Sequence, residues 1–358
     1  MDAAGAQDHT MNTGPTPLQA AETASPDALE MRVLRTTPEP CIRIDDASVH
    51  RLLTDAPESY FRHLHERLRD IAAGRIAVEM PPKQVFADPG ETSDFRVMPC
   101  VTRAGSRVTK TLKVVGTNTA QRVVPDQITV GKALVIDPIE NYVTHVIDAC
   151  LLSSARTGLC AALAIKLMAT ATRRLNIIGS GRVGYYVGFY AASLCGVREI
   201  VFADCVADRA MTAAAALAAR IPGLQCTAMP ADRLPEADIL ALATTSTTPV
   251  CSPSGNNAGL VISLGADIDH QSELDPAWAG AADIVVDTLD TIRFGDLKAW
   301  IAAGLLDAAT IYDFNALLSG HAPQASTGRR RLFVSTGSAL FDNLTLEYLL
   351  QQITPPRK

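Results

Sequence analysis

The hydrophobic rhythm of the chain changes at about residue 150. Between Arg32 and Ile147 the pattern is mixed: "ESYFRHLHERLRDIAA" (58–73) repeats its apolar positions every three or four residues, which predicts an amphipathic helix. Short runs such as "TLKVV" and "KALVI", set off by Pro and Gly, predict strands, so this part reads as an α+β unit. A long apolar helix is expected over 153–170, "SSARTGLCAALAIKLMAT". From Leu175 onward, near-continuous apolar runs of strand length ("LNII", "EIVFAD", "LQCTAM", "DILALATT", "GLVISLG", "DIVVD") alternate with helical stretches, including an alanine-rich one at 207–220. Such runs suit strands buried on both faces of a parallel sheet, and hence an α/β fold. After about residue 320 a polar loop, "GHAPQASTGRRR", precedes "LFVSTGSALFDNLTLEYLL", whose helical end is expected to pack back on the N-terminal unit. The expected division is a tail at 1–30, an α+β unit at 31–150 completed by 321–358, and a parallel-sheet unit at 151–320. No internal repeat is visible.

Composition narrows this picture. Residues 1–30 are rich in Ala, Thr, Gly, Pro and Asp and poor in large apolar side chains, so burial cannot offset their ordering entropy and a disordered tail is expected, with Met11 and Met31 as alternative starts. The whole chain, 358 residues at 47% hydrophobic, is long enough for two domains. A net charge of −6 provides no surface for neutralising phosphates, so no nucleic-acid partner is expected. The eight cysteines lack metal-ligand spacing and read as reduced apolar residues, with no metal site. No apolar run approaches the roughly 18 residues of a membrane span, and the N-terminus lacks the order of a signal peptide, so no membrane partner and a cytoplasmic location are expected.

"LNIIGSGRVGYYVG" (175–188) carries the first chemistry. Gly179, Gly181 and Gly184 follow a buried-strand run and open a helix, and Asp204 ends the next strand at the spacing of a dinucleotide fold. In that arrangement the first glycine permits the turn, the second lets backbone N–H groups approach a pyrophosphate, and the third lets helix and strand pack closely. The loop Gly179, Ser180, Gly181, Arg182, Val183, Gly184 would hold the cofactor. Asp204 would accept from ribose hydroxyls and repel a 2′-phosphate, which favours NAD over NADP, although Arg209 stands nearby.

"LLSSARTGLCAALA" (151–164), the glycine loop, "ADILALATTSTTPV" (237–250), "LGADIDHQSELDP" (264–276) and "FVSTGSALFDNL" (333–344) occur in the order and spacing of the ornithine cyclodeaminase/μ-crystallin family, and the resemblance runs from about residue 40 onward. It implies a homodimer, a central Rossmann-type NAD domain, and an α+β substrate and dimerisation domain built from both chain ends. Arg156 matches the family's carboxylate-binding arginine, Lys113 its active-site lysine and Asp267 its catalytic aspartate. Lys83 falls where many members carry a further arginine, and Thr244, Thr245 and Ser246 match a loop that contacts the dinucleotide. Arg suits a carboxylate clamp because its planar fork binds bidentately. Asp267 follows a predicted strand at the carboxyl edge of the sheet, where partial screening from water would raise its pKa and fit it to shuttle protons. Asp269, close in sequence, competes for that role, and His145 and His270 are further acid–base candidates.

One position departs from the diamine cyclodeaminases. Where those carry an acidic residue in "-E-x-M-P-", this chain reads "DFRVMPC" and places Arg96. An arginine there would repel an ammonium tail and attract a carboxylate; the alternatives are a register slip that puts Asp94, two residues away, at that position, and a role for Arg96 as a structural ion-pair partner. "KVVGTNT", "VGKALVIDPIENYV" and "LLSSARTG" are most similar to the N-(2-amino-2-carboxyethyl)-L-glutamate dehydrogenases, which make 2,3-diaminopropionate for siderophores and peptide antibiotics. The resemblance implies oxidative cleavage of that substrate to 2-oxoglutarate and L-2,3-diaminopropionate, with a pocket of Lys83, Arg96, Lys113 and Arg156. The competing readings are redox-neutral ornithine cyclodeamination, another amino-acid dehydrogenase or imine reductase, and a non-enzymatic μ-crystallin-like binding protein.

Overall fold

The computed structural model describes residues 25–87, 93–322 and 329–353, and divides at Pro40. The first unit holds one described element, a helix at Pro26–Val33 with Ser25 as its cap: the Ser25 Oγ accepts from the Ala28 N–H, and a proline opens the first turn. The disordered tail expected over 1–30 is corrected at its end, because capping is a local signal that average composition hides. The rest of that expectation lies outside the described residues.

The second unit contains two sheets. The first is built from β1 (Ile42–Ile44), β2 (Ala77–Glu79), β3 (Gln84–Ala87), β4 (Asp94–Ala104), β5 (Arg107–Thr117), β6 (Thr129–Ile136) and β7 (Val143–Asp148), in the order β1-β7-β6-β5-β4-β2 with β3 also paired to β4. All its pairings are antiparallel except β1 with β7. The second is parallel throughout: β8 (Arg174–Ile178), β9 (Glu199–Ala203), β10 (Gln225–Ala228), β11 (Ile239–Leu242), β12 (Leu260–Ser263), β13 (Ala282–Val286), β14 (Tyr312–Asp313) and β15 (Arg330–Val334), ordered β10-β9-β8-β11-β12-β15-β13-β14. The strand order reverses between β8 and β11, and open α/β sheets hold ligands at such a reversal.

The apolar runs are explained by burial on both faces. Ile239 and Ala241 of β11 enter one hydrophobic cluster, while Leu240 and Leu242 enter the cluster on the opposite face. β12 and β15 alternate in the same way, with Ile262 and Phe333 on one side and Val261 and Leu332 on the other. β15 lies between β12 and β13, so the strand part of 321–358 belongs to the parallel sheet, and only the helix Ala339–Ile353 returns to the first sheet. The expected single destination for that segment is corrected: within "RRLFV" Leu332 and Val334 are buried on one face and Phe333 on the other, which is what a central parallel strand requires.

The helix Ala149–Met168 packs on β6 of the first sheet and β12 of the second, and joins their cores. It is long and apolar enough by composition to cross a membrane, contrary to the expectation from uninterrupted runs, because Ala, Cys, Leu and Ile outweigh its scattered polar residues. Within the protein 78% of its most apolar stretch is buried.

The helix Ala339–Ile353 is fixed by polar contacts that its sequence does not advertise. Asn343, fully buried, donates to the Thr111 Oγ1 at 2.9 Å and to the carbonyls of Cys100 and Thr109 at 3.2 Å, and accepts from the Thr102 Oγ1 at 2.9 Å. Glu347 receives Arg67 and Arg107, each at 3.1 Å. Asn343→Ala would strip partners from several buried groups at once, and is expected to lower stability by about 3 kcal/mol. Chemical denaturation checks this, and a change within experimental error would mean that the hairpin and the helix are held by apolar packing alone.

Candidate functional site

The glycine loop leaves β8 at the reversal of strand order. Gly179 has φ +99°, and a Cβ there would lie 2.3 Å from the Ala243 carbonyl oxygen at the end of β11, so both backbone conformation and space demand glycine. A Cβ on Gly184 would lie 2.1 Å from the Gly179 oxygen, whereas one on Gly181 would meet nothing within 4 Å. Tight turn, open approach and close packing therefore fall on the first, second and third glycines in the order a dinucleotide loop needs. Gly181 caps the helix Arg182–Leu194, so its first N–H groups face that opening. Asp204 holds the loop: its Oδ2 accepts from the Ser180 N–H at 2.8 Å and its Oδ1 from the Val206 N–H at 2.9 Å. Arg182 is exposed and donates to the Asp126 carbonyl, and Val183 is half-buried.

The opposite lip is organised by Glu273, which sequence reasoning passed over inside "HQSELDP". Fully buried, its carboxylate accepts five hydrogen bonds: from the Thr244 N–H and hydroxyl (2.7 and 2.9 Å), the Ser263 hydroxyl (2.7 Å) and the N–H groups of Leu264 and Gly265 (3.1 and 2.8 Å). Burial pushes its pKa up against those donors. Glu273 thus clamps the ends of β11 and β12. Thr244 is turned inward to it, Ser246 bonds within its own turn to the Thr248 carbonyl, and Thr245 is left exposed.

A cluster of charges lies beyond β12. Arg96, on the buried face of β4, forks between two carboxylates: its Nε and Nη2 reach Asp94 at 3.0 and 3.1 Å, while its Nη1 and Nη2 bond Asp267 just past β12. Lys113, two residues along the same face of β5 from the partner of Arg96, sits 2.7 Å from the Asp342 Oδ2 and 3.3 Å from the Ser153 Oγ. Arg156, from the long helix, donates through Nε to the Asp342 Oδ1 at 2.9 Å. A side chain at Gly337, whose φ is +82°, would run into the Arg156 guanidinium at 2.9 Å. Lys83 is buried, donates to the Thr336 carbonyl at 2.8 Å and lies 3.8 Å from the centre of the Phe294 ring. The five residues Lys83, Arg96, Lys113, Arg156 and Asp267 thus come together from both sheets and the helix between them.

Asp267 does not behave as its position in sequence predicts. Burial pushes its pKa up, but Arg96 and Lys83 outweigh that and hold the carboxyl below its usual range. The expectation of a raised pKa is corrected: the sequence shows a carboxylate at a sheet edge, not the guanidinium that folding brings onto it. Asp269 turns away and pairs with Lys298 at 2.6 Å, which separates it from Asp267. His145 bonds its neighbour Thr144 on β7, and His270 lies exposed beside Asp269, so neither joins the cluster. The ion-pair alternative for Arg96 is what the geometry shows, since its guanidinium pairs with both Asp94 and Asp267.

Burial lowers both lysines from the usual 10.5 to about 8. Their charges are therefore present below pH 8 and lost above it. Affinity for a small dicarboxylate such as glutarate, followed by calorimetry, is expected to fall as pH rises through about 8 with the loss of more than one proton. Lys83→Arg, which keeps its charge, should reduce that to one. A flat profile between pH 7 and 9.5 would remove the lysines from anion binding.

Residues 47–354 match the Ornithine cyclodeaminase/mu-crystallin family. A comparison with curated proteins gives no match. Among solved structures, Δ1-pyrroline-2-carboxylate reductase of Thermococcus litoralis, in complex with NADH and L-proline, is 17% identical with a TM-score of 0.77, covering 86% of this chain and 95% of its own. An archaeal alanine dehydrogenase dimer with bound NAD is 21% identical with a TM-score of 0.76, covering 89% and 99%. The iminosuccinate reductase of Paracoccus denitrificans, in complex with NAD+, is 22% identical with a TM-score of 0.74, covering 87% and 96%. These likenesses establish a common fold.

Proposed function

The chain belongs to the ornithine cyclodeaminase/mu-crystallin family, and from that premise we propose that it is an NAD-dependent dehydrogenase acting on the C–N bond of an amino acid with an extra carboxylate. The substrate we propose is N-(2-amino-2-carboxyethyl)-L-glutamate, cleaved to 2-oxoglutarate and L-2,3-diaminopropionate in the making of a siderophore or peptide antibiotic. The observation that carries this reading is the gathering of four buried cations at one site, with Arg96, Lys83 and Arg156 acting on Asp267 and Lys113 joining Arg156 on Asp342. A diamine substrate would add further positive charge to that cluster, whereas an acidic one would add a carboxylate.

NAD fits the cradle around Gly179, Gly181 and Gly184, with Asp204 at the ribose side, and when bound it supplies the acceptor for the Cα hydride of the glutamate moiety, leaving an imine. Arg156 and Lys113 hold the α-carboxylate, and Arg96 receives the side-chain carboxylate. Asp267, ionised at neutral pH, takes a proton from the substrate nitrogen and releases it to solvent, then takes one from the water that adds to the imine carbon and returns it to the nitrogen. Collapse of the protonated carbinolamine forms the keto C=O as the C–N bond breaks, and its hydroxyl proton passes to the departing amine through Asp267, so that one water and one NAD+ are consumed, and the two products leave with NADH and a proton. Ornithine cyclodeamination fits less well. It needs an acidic group free for the distal ammonium, and Asp94, the nearest candidate, already holds Arg96.

Purified protein with NAD+ is expected to produce net NADH at 340 nm from N-(2-amino-2-carboxyethyl)-L-glutamate, with both products seen by mass spectrometry. Proline and ammonia from ornithine without net NADH would overturn the reading. Arg96→Gln should lower kcat/KM for the acidic substrate by roughly 100-fold, as expected when a charge-assisted pair is lost, and change NAD+ affinity less than twofold. Equal loss of both would remove Arg96 from substrate selection.

A homodimer is part of the proposal. On the outward face of the first sheet Phe86 and Phe95 stack with ring centres 4.8 Å apart and are about half exposed, with Val114 also on view. A second copy is the occupant that family membership suggests for such an apolar face. Light scattering is expected to give twice the chain mass, and Phe95→Glu to shift it towards the monomer; a wild-type monomer at micromolar concentration would end this part of the proposal.

A further inference from the structure

The charge cluster has a neighbouring cavity that the proposed chemistry leaves unused. It has a volume of about 390 Å³, within the range of small-molecule pockets, and its walls include Lys83, Asp94, Asp269, Arg293, Phe294 and Lys298. It begins one residue past Asp267 and extends towards the loops that follow β13. The glycine loop follows β8 and Asp204 follows β9, on the other side of β12. The cavity therefore flanks Asp267 on the side opposite the dinucleotide cradle.

Its polar lining carries one complete ion pair, Lys298 with Asp269, and one member of a second, Arg293, whose partner Asp290 lies outside the wall. Lys298 reaches the Asp269 Oδ2 at 2.6 Å, and Arg293 faces the Asp290 Oδ1 at 3.5 Å, a separation too long for a strong hydrogen bond. Lys298 and Arg293 are about half exposed, so exchanging one carboxylate partner for another costs little desolvation. Lys83, on the shared wall, is 7% exposed; its backbone N–H donates to the Asp290 Oδ2 at 3.4 Å, while its ammonium donates to the Thr336 carbonyl and lies over the Phe294 ring. A buried ammonium that makes no direct ion pair among the described residues, next to paired cations and carboxylates at an open mouth, is complementary to a group carrying both charges.

We infer that this cavity is a subsite for the α-amino-acid head of the substrate's N-linked arm, with Arg293 and Lys298 taking its carboxylate, Asp269 its ammonium, and Lys83 bridging to the glutamate half. The inference rests on the proposed function in that the other half of the substrate must sit at Arg96, Lys113 and Arg156. It specifies the substrate class further: an amine joining two amino-acid units, the second of which is read as a zwitterion.

Steady-state kinetics of Arg293→Gln, Lys298→Gln and the double variant test this, with N-(2-amino-2-carboxyethyl)-L-glutamate set against N-methyl-L-glutamate, which lacks the second head group. Each single change is expected to lower kcat/KM for the full substrate by roughly 10-fold or more, to leave N-methyl-L-glutamate within twofold, and Lys298→Arg should restore most of the loss. An equal fall on both compounds, or no fall on the full one, overturns the subsite. If the wild type oxidises neither compound, the proposed function fails, and the subsite is judged by calorimetry of L-2,3-diaminopropionate binding to the NADH-loaded protein. Binding that the double variant abolishes supports the subsite, and absence of binding to the wild type overturns it.

Discussion

Asp342 keeps two cations in the interior of this protein. It lies on the helix Ala339–Ile353, is 2% exposed, and meets Lys113 from β5 and Arg156 from the helix between the sheets. Removing either cation from water without a partner costs several kcal/mol, so the carboxylate that compensates them is a condition for placing basic residues here at all. It also fixes where the chain ends must go. The C-terminal helix has to return across the first sheet to deliver Asp342, although the strand just before it belongs to the parallel sheet. The crossing of the chain between its two sheets and the charge balance of the site are thus one constraint.

The buried carboxylates divide by what surrounds them. Glu273 and Asp287 are ringed by hydroxyl and N–H donors, and burial pushes their pKa values up in spite of those donors. Asp267 is more open, its side chain about one-third exposed, and guanidinium and ammonium groups hold it low. The first two behave as fasteners: Glu273 joins the ends of β11 and β12, and Asp287 ties Ser335 to Thr291 at 2.7 and 2.6 Å. Neutral donors orient a carboxylate without fully repaying its desolvation, whereas opposite charges do both. That difference separates the acid that reacts in the proposed mechanism from those that hold its surroundings in place.

How much of this was legible in the sequence follows from range. The glycine loop was fully legible, because each glycine answers a demand made within a few residues or by the adjoining strand, and the periodicity placed the helix Ala207–Arg220 and six of the eight strands of the parallel sheet closely. The cations Arg96, Lys113 and Arg156 could be singled out by motif. Their partners could not: Asp342 is 229 positions from Lys113 in sequence (342 − 113) and nothing in "SALFDNL" marks its aspartate as a counter-ion. Glu273 was missed for the same reason, and the low pKa of Asp267 follows from Arg96, 171 positions away. Tertiary electrostatics was the illegible part, because one sequence shows which charges exist and not which of them meet.

Arg96 joins these points to the chemistry. In the free protein its guanidinium serves Asp94 and Asp267 together, and the second pairing lowers the basicity of the group proposed to accept protons. In the proposed mechanism a substrate carboxylate arriving at Arg96 would compete with Asp267 for the same N–H groups, while Asp94, 5% exposed and bound through two hydrogen bonds, keeps the guanidinium in place. As Asp267 yields its share, the attraction that held its pKa down weakens and its proton affinity rises when there is a nitrogen to deprotonate. A substrate without that carboxylate would leave the pair closed. Selectivity for the acidic substrate and activation of the base would then arise from one exchange of hydrogen bonds, and the arginine that departs from the diamine-binding pattern would act on both.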